Sequence, residues 1–208
     1  MNFKRNFIDL ITTAYRYQYI GITDSKEVIA KKKPFFFFLK IQWVFIILSI
    51  VISPFIKKGF SNEFSGYIIS GLSLFIGIFF TFILELYNKF NNIDFNQYKR
   101  SVNEEKFPLG VRLKNYFKKI TVLSLYSIII SIICILLLSC SLLFETYLQQ
   151  EISICYVIKH WKSPSFYFII IYRSIVLYFL FDFLLITLFL VSSFYDFIIS
   201  EYENIKLS

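Results

Sequence analysis

Four runs of twenty or more mostly apolar residues, spread along a chain of 208, decide which solvent this protein can fold in. The runs cover 35–56, 64–86, 120–144 and 166–199. Lys40 interrupts the first, and Arg173 and Asp182 stand in the fourth. About 20 residues of helix cross a hydrocarbon core roughly 30 Å thick, so each run is long enough to span a bilayer. Composition closes the other routes. Hydrophobic residues make up 57% of the chain, aromatic residues 21% and charged residues only 17%. A soluble globule of this size cannot hide so much apolar side chain, and disorder needs the opposite balance. Three cysteines are too few, and odd in number, for a disulfide framework. The expected fold is an all-α membrane protein of four transmembrane helices, with an amphipathic N-terminal helix and cytoplasmic helical extensions.

The net charge of +8 would suggest nucleic acid in a soluble chain, but here its placement gives an orientation. The segment before Phe35 carries seven cations: Lys4, Arg5, Arg16, Lys26, Lys31, Lys32 and Lys33. The connection 87–119 carries eight: Lys89, Lys99, Arg100, Lys106, Arg112, Lys114, Lys118 and Lys119. The other two connections carry two each, Lys57 with Lys58 and Lys159 with Lys162. The positive-inside rule then places both termini and the central connection in the cytoplasm. The expected organisation is a cytoplasmic segment 1–34, a four-span domain 35–199 and a tail 200–208. The 34 leading residues lack the short apolar core and cleavage site of a signal peptide.

Local patterns refine the element ends. Phe3, Phe7, Leu10, Ile11, Ala14 and Tyr17 recur at helical spacing, which predicts an amphipathic helix on the membrane surface or against the bundle. Asp24 to Glu27 has the spacing of a capping box, starting a helix near Ser25. The second span is expected to continue past Tyr87, and Pro108 and Gly110 to break the central connection into two pieces. Pro164 suits the first turn of the fourth helix, whose 34 apolar residues (about 51 Å) exceed the bilayer and must project from it.

Polar residues inside the runs are the candidate functional positions. In the second span Gly66, Ser70, Ser73, Gly77 and Thr81 advance by four, three, four and four, and Glu85 continues the line. In the third, Ser124, Ser127 and Ser131 form a broader stripe with Thr121, Cys134 and Ser141. In the fourth, Tyr178, Asp182, Ser193 and Asp196 share one side of the helix wheel. Small residues and hydroxyls are how membrane helices associate, and they also line water-accessible pathways; both readings stand at this point. Asp182 is the residue that tells them apart, since a charge at mid-span costs about 2.5–3.5 kcal/mol on insertion scales. Arg173 lies roughly 180° from Asp182 on the wheel, so it is expected to snorkel to the external headgroups instead of pairing with it. Lys40, near the cytoplasmic end of the first span, reaches either the interface or Glu85. Lys31, Lys32, Lys33, Arg112, Lys114, Lys118 and Lys119 are the expected contacts to anionic lipid or to a soluble partner.

Enzymatic chemistry finds no foothold. The sequence has one histidine, His160, beside Trp161 in an expected external loop, and no phosphate loop, GxSxG, HExxH or paired CxxC. Cys134 and Cys140 lie six apart on one helix and cannot bridge each other. No catalytic residue, metal or cofactor is expected. A secondary transporter is disfavoured because no inverted repeat or matched pair of broken spans is visible.

The four-span layout, the lead Lys31-Lys32-Lys33, and the run Gly71-Leu72-Ser73-Leu74-Phe75-Ile76-Gly77 continuing into Leu86-Tyr87-Asn88-Lys89-Phe90 resemble small membrane components of bacterial antiphage systems. These are the membrane subunit of the Kiwa system and the membrane proteins that accompany type VI-B CRISPR loci. The resemblance covers the whole chain as architecture and carries no site residue over by position. It implies a homo-oligomeric inner-membrane subunit that senses or perturbs the membrane with a cytosolic effector. The alternatives are a scaffold recruiting a soluble protein through its basic face, and a small ion channel unrelated to defence.

Overall fold

The computed structural model of the chain describes residues 3–19, 40–56, 59–98, 107–149 and 164–205. All the regular structure among them is helical: α1 (Phe3–Tyr19), α2 (Lys40–Ile52), α3 (Asn62–Asn91), α4 (Phe107–Leu143), α5 (Glu145–Leu148) and α6 (Pro164–Ile205). Short 3-10 turns follow α2 at Ser53–Phe55 and α3 at Phe95–Tyr98. Three helices, α3, α4 and α6, are long and apolar enough to cross a membrane. The fourth apolar helix is shorter: the 13 residues of α2 rise about 20 Å, less than the hydrocarbon thickness. The expected first span begins at Phe35, and 35–39 lie outside the described residues. On helix length and hydropathy the chain is a multi-pass membrane protein.

The helix ends follow local chemistry. Pro164 opens α6, where its missing N–H has no partner to lose, and the helix runs 42 residues, about 63 Å. The second span continues only to Asn91, one turn past Tyr87, before the chain turns. Pro108 and Gly110 do not divide the central connection as expected. They lie in the first turn of α4, so Arg112, Lys114, Lys118 and Lys119 belong to the same continuous helix as the third span. Proline fits that position for the same reason as Pro164. Gly110 is required by proximity, because a Cβ there would collide with the Tyr98 side chain. The capping box near Ser25 falls outside the described residues.

The chain forms two compact units, and α3, α4 and α6 each contribute one stretch to both. One unit comprises Met1–Leu39, Ile78–Ser127 and Ile186–Ser208. Its core is aromatic: Tyr116, Phe117 and Tyr126 are buried, and Phe197 packs edge-on against Tyr116 and Phe117 at centroid distances of 5.5 and 6.1 Å. Phe82 meets Phe194 at 4.7 Å. Here α1 packs on its own bundle, with Ala14 buried and the Tyr15 ring 5.5 Å from Tyr126. Burial pushes the Tyr17 phenol above its ordinary value against the opposing pull of Arg16.

The second unit comprises Lys40–Gly77 and Ile128–Leu185. Phe60, Leu138 and Val176 form its buried centre, surrounded by Ile56, Ile68, Ile69, Leu137, Tyr172, Leu177 and Leu180. Ring pairs Phe45–Phe181 (5.4 Å) and Phe75–Phe183 (5.5 Å) tie α2 and α3 to α6 within it.

Candidate functional site: a braced polar interior

The unit built on Lys40–Gly77 and Ile128–Leu185 contains the strongly polar interior residues of the apolar runs. Asp182 is fully buried, and its Oδ1 accepts a hydrogen bond of 3.0 Å from Gln42 Nε2, itself fully buried on α2. Cys134, also buried, lies within electrostatic reach of the same carboxyl. Gln42 has no place among the residues singled out from sequence, where attention fell on formal charge. The available signal was a carboxamide in an otherwise apolar run, a group that costs free energy in hydrocarbon unless bonded. The carboxyl and the carboxamide each supply what the other needs, which fixes the rotation of α2 against α6. Replacing Asp182 by Asn keeps an acceptor of nearly the same shape and is expected to leave the melting temperature of the detergent-solubilised protein nearly unchanged. Replacing it by Leu removes the acceptor of that buried bond and is expected to cost about 1–3 kcal/mol in the same measurement.

Arg173 does not snorkel to headgroups as expected. It is fully buried, and its guanidinium donates to two backbone carbonyls, Ile56 O at 2.7 Å and Leu148 O at 3.2 Å. These carbonyls close the 3-10 turn after α2 and the short helix α5, where helical geometry leaves C=O groups short of intrahelical donors; Ile56 O also accepts from the Gly59 N–H at 3.4 Å. A planar fork with five N–H donors is suited to satisfying several such acceptors together. Gly59 completes the arrangement. Its φ is +67°, and a Cβ there would come within 3.0 Å of both the Arg173 guanidinium and Leu148 O. Only glycine lets the chain pass so close in that conformation.

Further polar contacts gather at the same helix ends. Asn62 donates to Glu145 (3.2 Å), and Gln149 donates to Asn62 (2.7 Å). Ser53 donates to Ile170 O (3.2 Å), and the Tyr172 hydroxyl donates to Leu137 O. The interior polar groups thus bind α2, α4, α5 and α6 to one another inside this unit.

The remaining candidates divide. Tyr178 is half-buried in the same unit as Asp182, whereas Ser193 and Asp196 belong to the other unit, Ser193 buried and Asp196 exposed. There Asp196 acts electrostatically on Lys119, which is half-buried. Arg112 lies 5.8 Å from the ring centroid of Tyr116. Glu85 lines a groove of about 270 Å³ together with Lys89, Tyr116, Phe117, Phe194 and Phe197, and the Lys89 ammonium stands 5.6 Å from the Phe197 ring centroid. Lys40 opens α2, with its side chain outside the described residues, as are Lys31, Lys32 and Lys33. Among the described residues no cluster of three or more His, Cys, Asp or Glu forms a metal cage.

The two small-residue stripes have opposite placements. Ser124, Ser127 and Ser131 on α4 are fully buried. On α3, Ser70, Ser73, Gly77 and Glu85 are exposed and Gly66 partly so. A Cβ added at Gly66, Gly71 or Gly77 would meet nothing within 4 Å. Most of the α3 stripe is therefore turned outward from the described residues of its own chain. Only 6% of the most apolar stretch of α3 is buried, against 44% for α4. Comparison with protein-family models, curated proteins and solved structures finds no match for this chain.

Proposed function

We propose that this chain is the oligomeric inner-membrane subunit of a bacterial antiphage defence system, sensing or perturbing the bilayer together with a cytosolic effector. In this reading it has four spans, both termini are cytoplasmic, and copies assemble through the Gly66–Ser70–Ser73–Gly77 face of α3. The observation that carries the assembly is the outward turn of that face. In lipid no hydrophobic force drives helices together, so association depends on close backbone approach and van der Waals contact. A small-residue stripe turned outward is suited to that, and large exposed side chains farther round the same helix, Tyr67 and Ile78, are left to face lipid. The polar interior supports the reading from the other side. Asp182 and Arg173 have partners inside the protomer, so their burial needs no second copy. The defence role rests on the resemblance in layout and on the lysine-rich lead.

Phage plating on cells carrying the gene with its neighbours tests this. The wild-type protein is expected to reduce plaque formation, Gly77→Ile to abolish the reduction at equal membrane level, and Asp182→Asn to alter it. No reduction by wild type removes the defence role. Full protection by Gly77→Ile removes the α3 face from it, and full protection by Asp182→Asn removes the carboxylate.

A further inference from the structure

We propose that the groove between the C-terminal part of α3 and the N-terminal part of α4 binds one anionic phospholipid. The inference goes beyond assembly and defence; it requires only that α3 and α4 are embedded in a bilayer. The groove has a volume of about 350 Å³, and its walls include Leu86 and Phe90 of α3 and Phe117 and Val122 of α4. Two lysines, Lys114 and Lys118, also line it. They are one turn apart on α4, and side chains at that spacing stand side by side, about 6 Å apart at Cβ. Both are exposed, and neither meets a carboxylate at ion-pair distance among the described residues.

The polarity of the groove runs in one direction. Its α4 wall reads Lys114, Phe117, Lys118, Thr121, Val122, passing from cationic to apolar as the helix enters the third apolar run. Its α3 wall reads Phe90, Tyr87, Leu86, Ile83 in the same sense, from the helix end into the second run. A ligand that fits must be anionic at one end and aliphatic along the rest, with its charge at the membrane surface and its chain pointing inward. That is a phospholipid of the leaflet in which the positive-inside rule places this end of the helices. Basic pockets between spans on that side are suited to anionic headgroups. A soluble protein would meet the two lysines but leave the deep apolar part of the groove to the acyl chains.

The test uses the full-length protein in detergent, titrated with palmitoyl-oleoyl phosphatidylglycerol or with phosphatidylcholine of the same chains. Bound lipid is counted by native mass spectrometry. Wild type is expected to retain phosphatidylglycerol preferentially. Lys114→Gln with Lys118→Gln is expected to weaken it about 25-fold, roughly fivefold for each cation lost, to the level of phosphatidylcholine. Val122→Trp, which fills the apolar wall and keeps both charges, is expected to abolish retention of both lipids, and Lys118→Arg to preserve the preference. Because the readout is in detergent, changes in insertion orientation do not enter it; an unchanged circular dichroism melt confirms that each variant is folded. Equal retention of the two lipids overturns the proposal, as does an undiminished preference in the double Gln variant. Unaltered binding in Val122→Trp overturns it by reducing the effect to surface attraction. Competition by soluble glycerol phosphate at the lipid's own concentration would make the ligand a free phosphate. A cytosolic protein lost from the double Gln variant while lipid retention persists would make the patch a protein contact. Either result overturns the lipid assignment.

Discussion

Replacing Arg173 by Met is expected to lower the stability of the solubilised protein by about 2–5 kcal/mol. Two charge-assisted hydrogen bonds of about 1.5–3 kcal/mol each are lost, partly offset because a cation is no longer buried. The Leu148 carbonyl loses the guanidinium donor, and Ile56 O keeps only the long 3.4 Å bond from the Gly59 N–H. Arg173→Lys is expected to fall between wild type and Met, since one ammonium on a flexible stem cannot present the planar fork that reaches both acceptors. Gly59→Ala tests the same brace from the opposite side. An alanine in the left-handed region costs about 1–2 kcal/mol, and here its Cβ would also press on the guanidinium and on Leu148 O. Thermal unfolding followed by circular dichroism in one detergent reads all three variants. Melting temperatures equal to wild type for both Met and Lys would sink the brace and restore a headgroup role for Arg173.

The second large effect is expected on α3. Gly77→Ile places a branched side chain in the exposed stripe, where a β-carbon meets nothing within 4 Å beyond the backbone of its own helix. The melt of the protomer should therefore hardly change. Between copies, the same side chain would push apart backbones that small residues allow to approach closely. The mass of the detergent complex is expected to fall from a multiple of 24.8 kDa to the single chain, with the protein still folded. Ile78→Leu, at an exposed position well round the same helix, should leave the mass unaltered. A wild-type complex of single-chain mass, or a Gly77→Ile complex as large as wild type, would count against assembly through α3.

What could be read from sequence and what could not follows from the dimensionality of the signal. Length and hydropathy act along the chain, so the three long helices, the opening of α6 at Pro164 and the helix from Phe3 were legible. Periodicity shows that one face of a helix differs from the rest, but not what covers it. Ser124, Ser127 and Ser131 gave nearly the same pattern as the α3 stripe, yet one set is buried and the other turned outward. The environment of Arg173 is hidden from sequence for a related reason. Its depth in the helix suggested a reach to the headgroups, but its acceptors come from residues 117 positions before it and 25 before it. No local pattern announces a loop folding back over a guanidinium, and Gly59 becomes meaningful only with its φ in hand. Gln42 carries no formal charge, and its worth depends on Asp182, 140 residues away. Pro108 alone does not distinguish a break from a start, because proline both interrupts helices and opens them; the surrounding residues decide which.

The account places the polar interior inside each protomer and the contact between protomers on one face of α3, and disulfide cross-linking in intact membranes measures that division directly. In a background with Cys134, Cys140 and Cys155 replaced by Ala, single cysteines are placed along α3 and oxidised. Ser70→Cys, Ser73→Cys and Thr81→Cys are expected to give cross-linked dimers, while Leu72→Cys, buried against its own chain, gives none. Cross-links that ignore the helical period, or that appear on every face of α3 except this one, would contradict it.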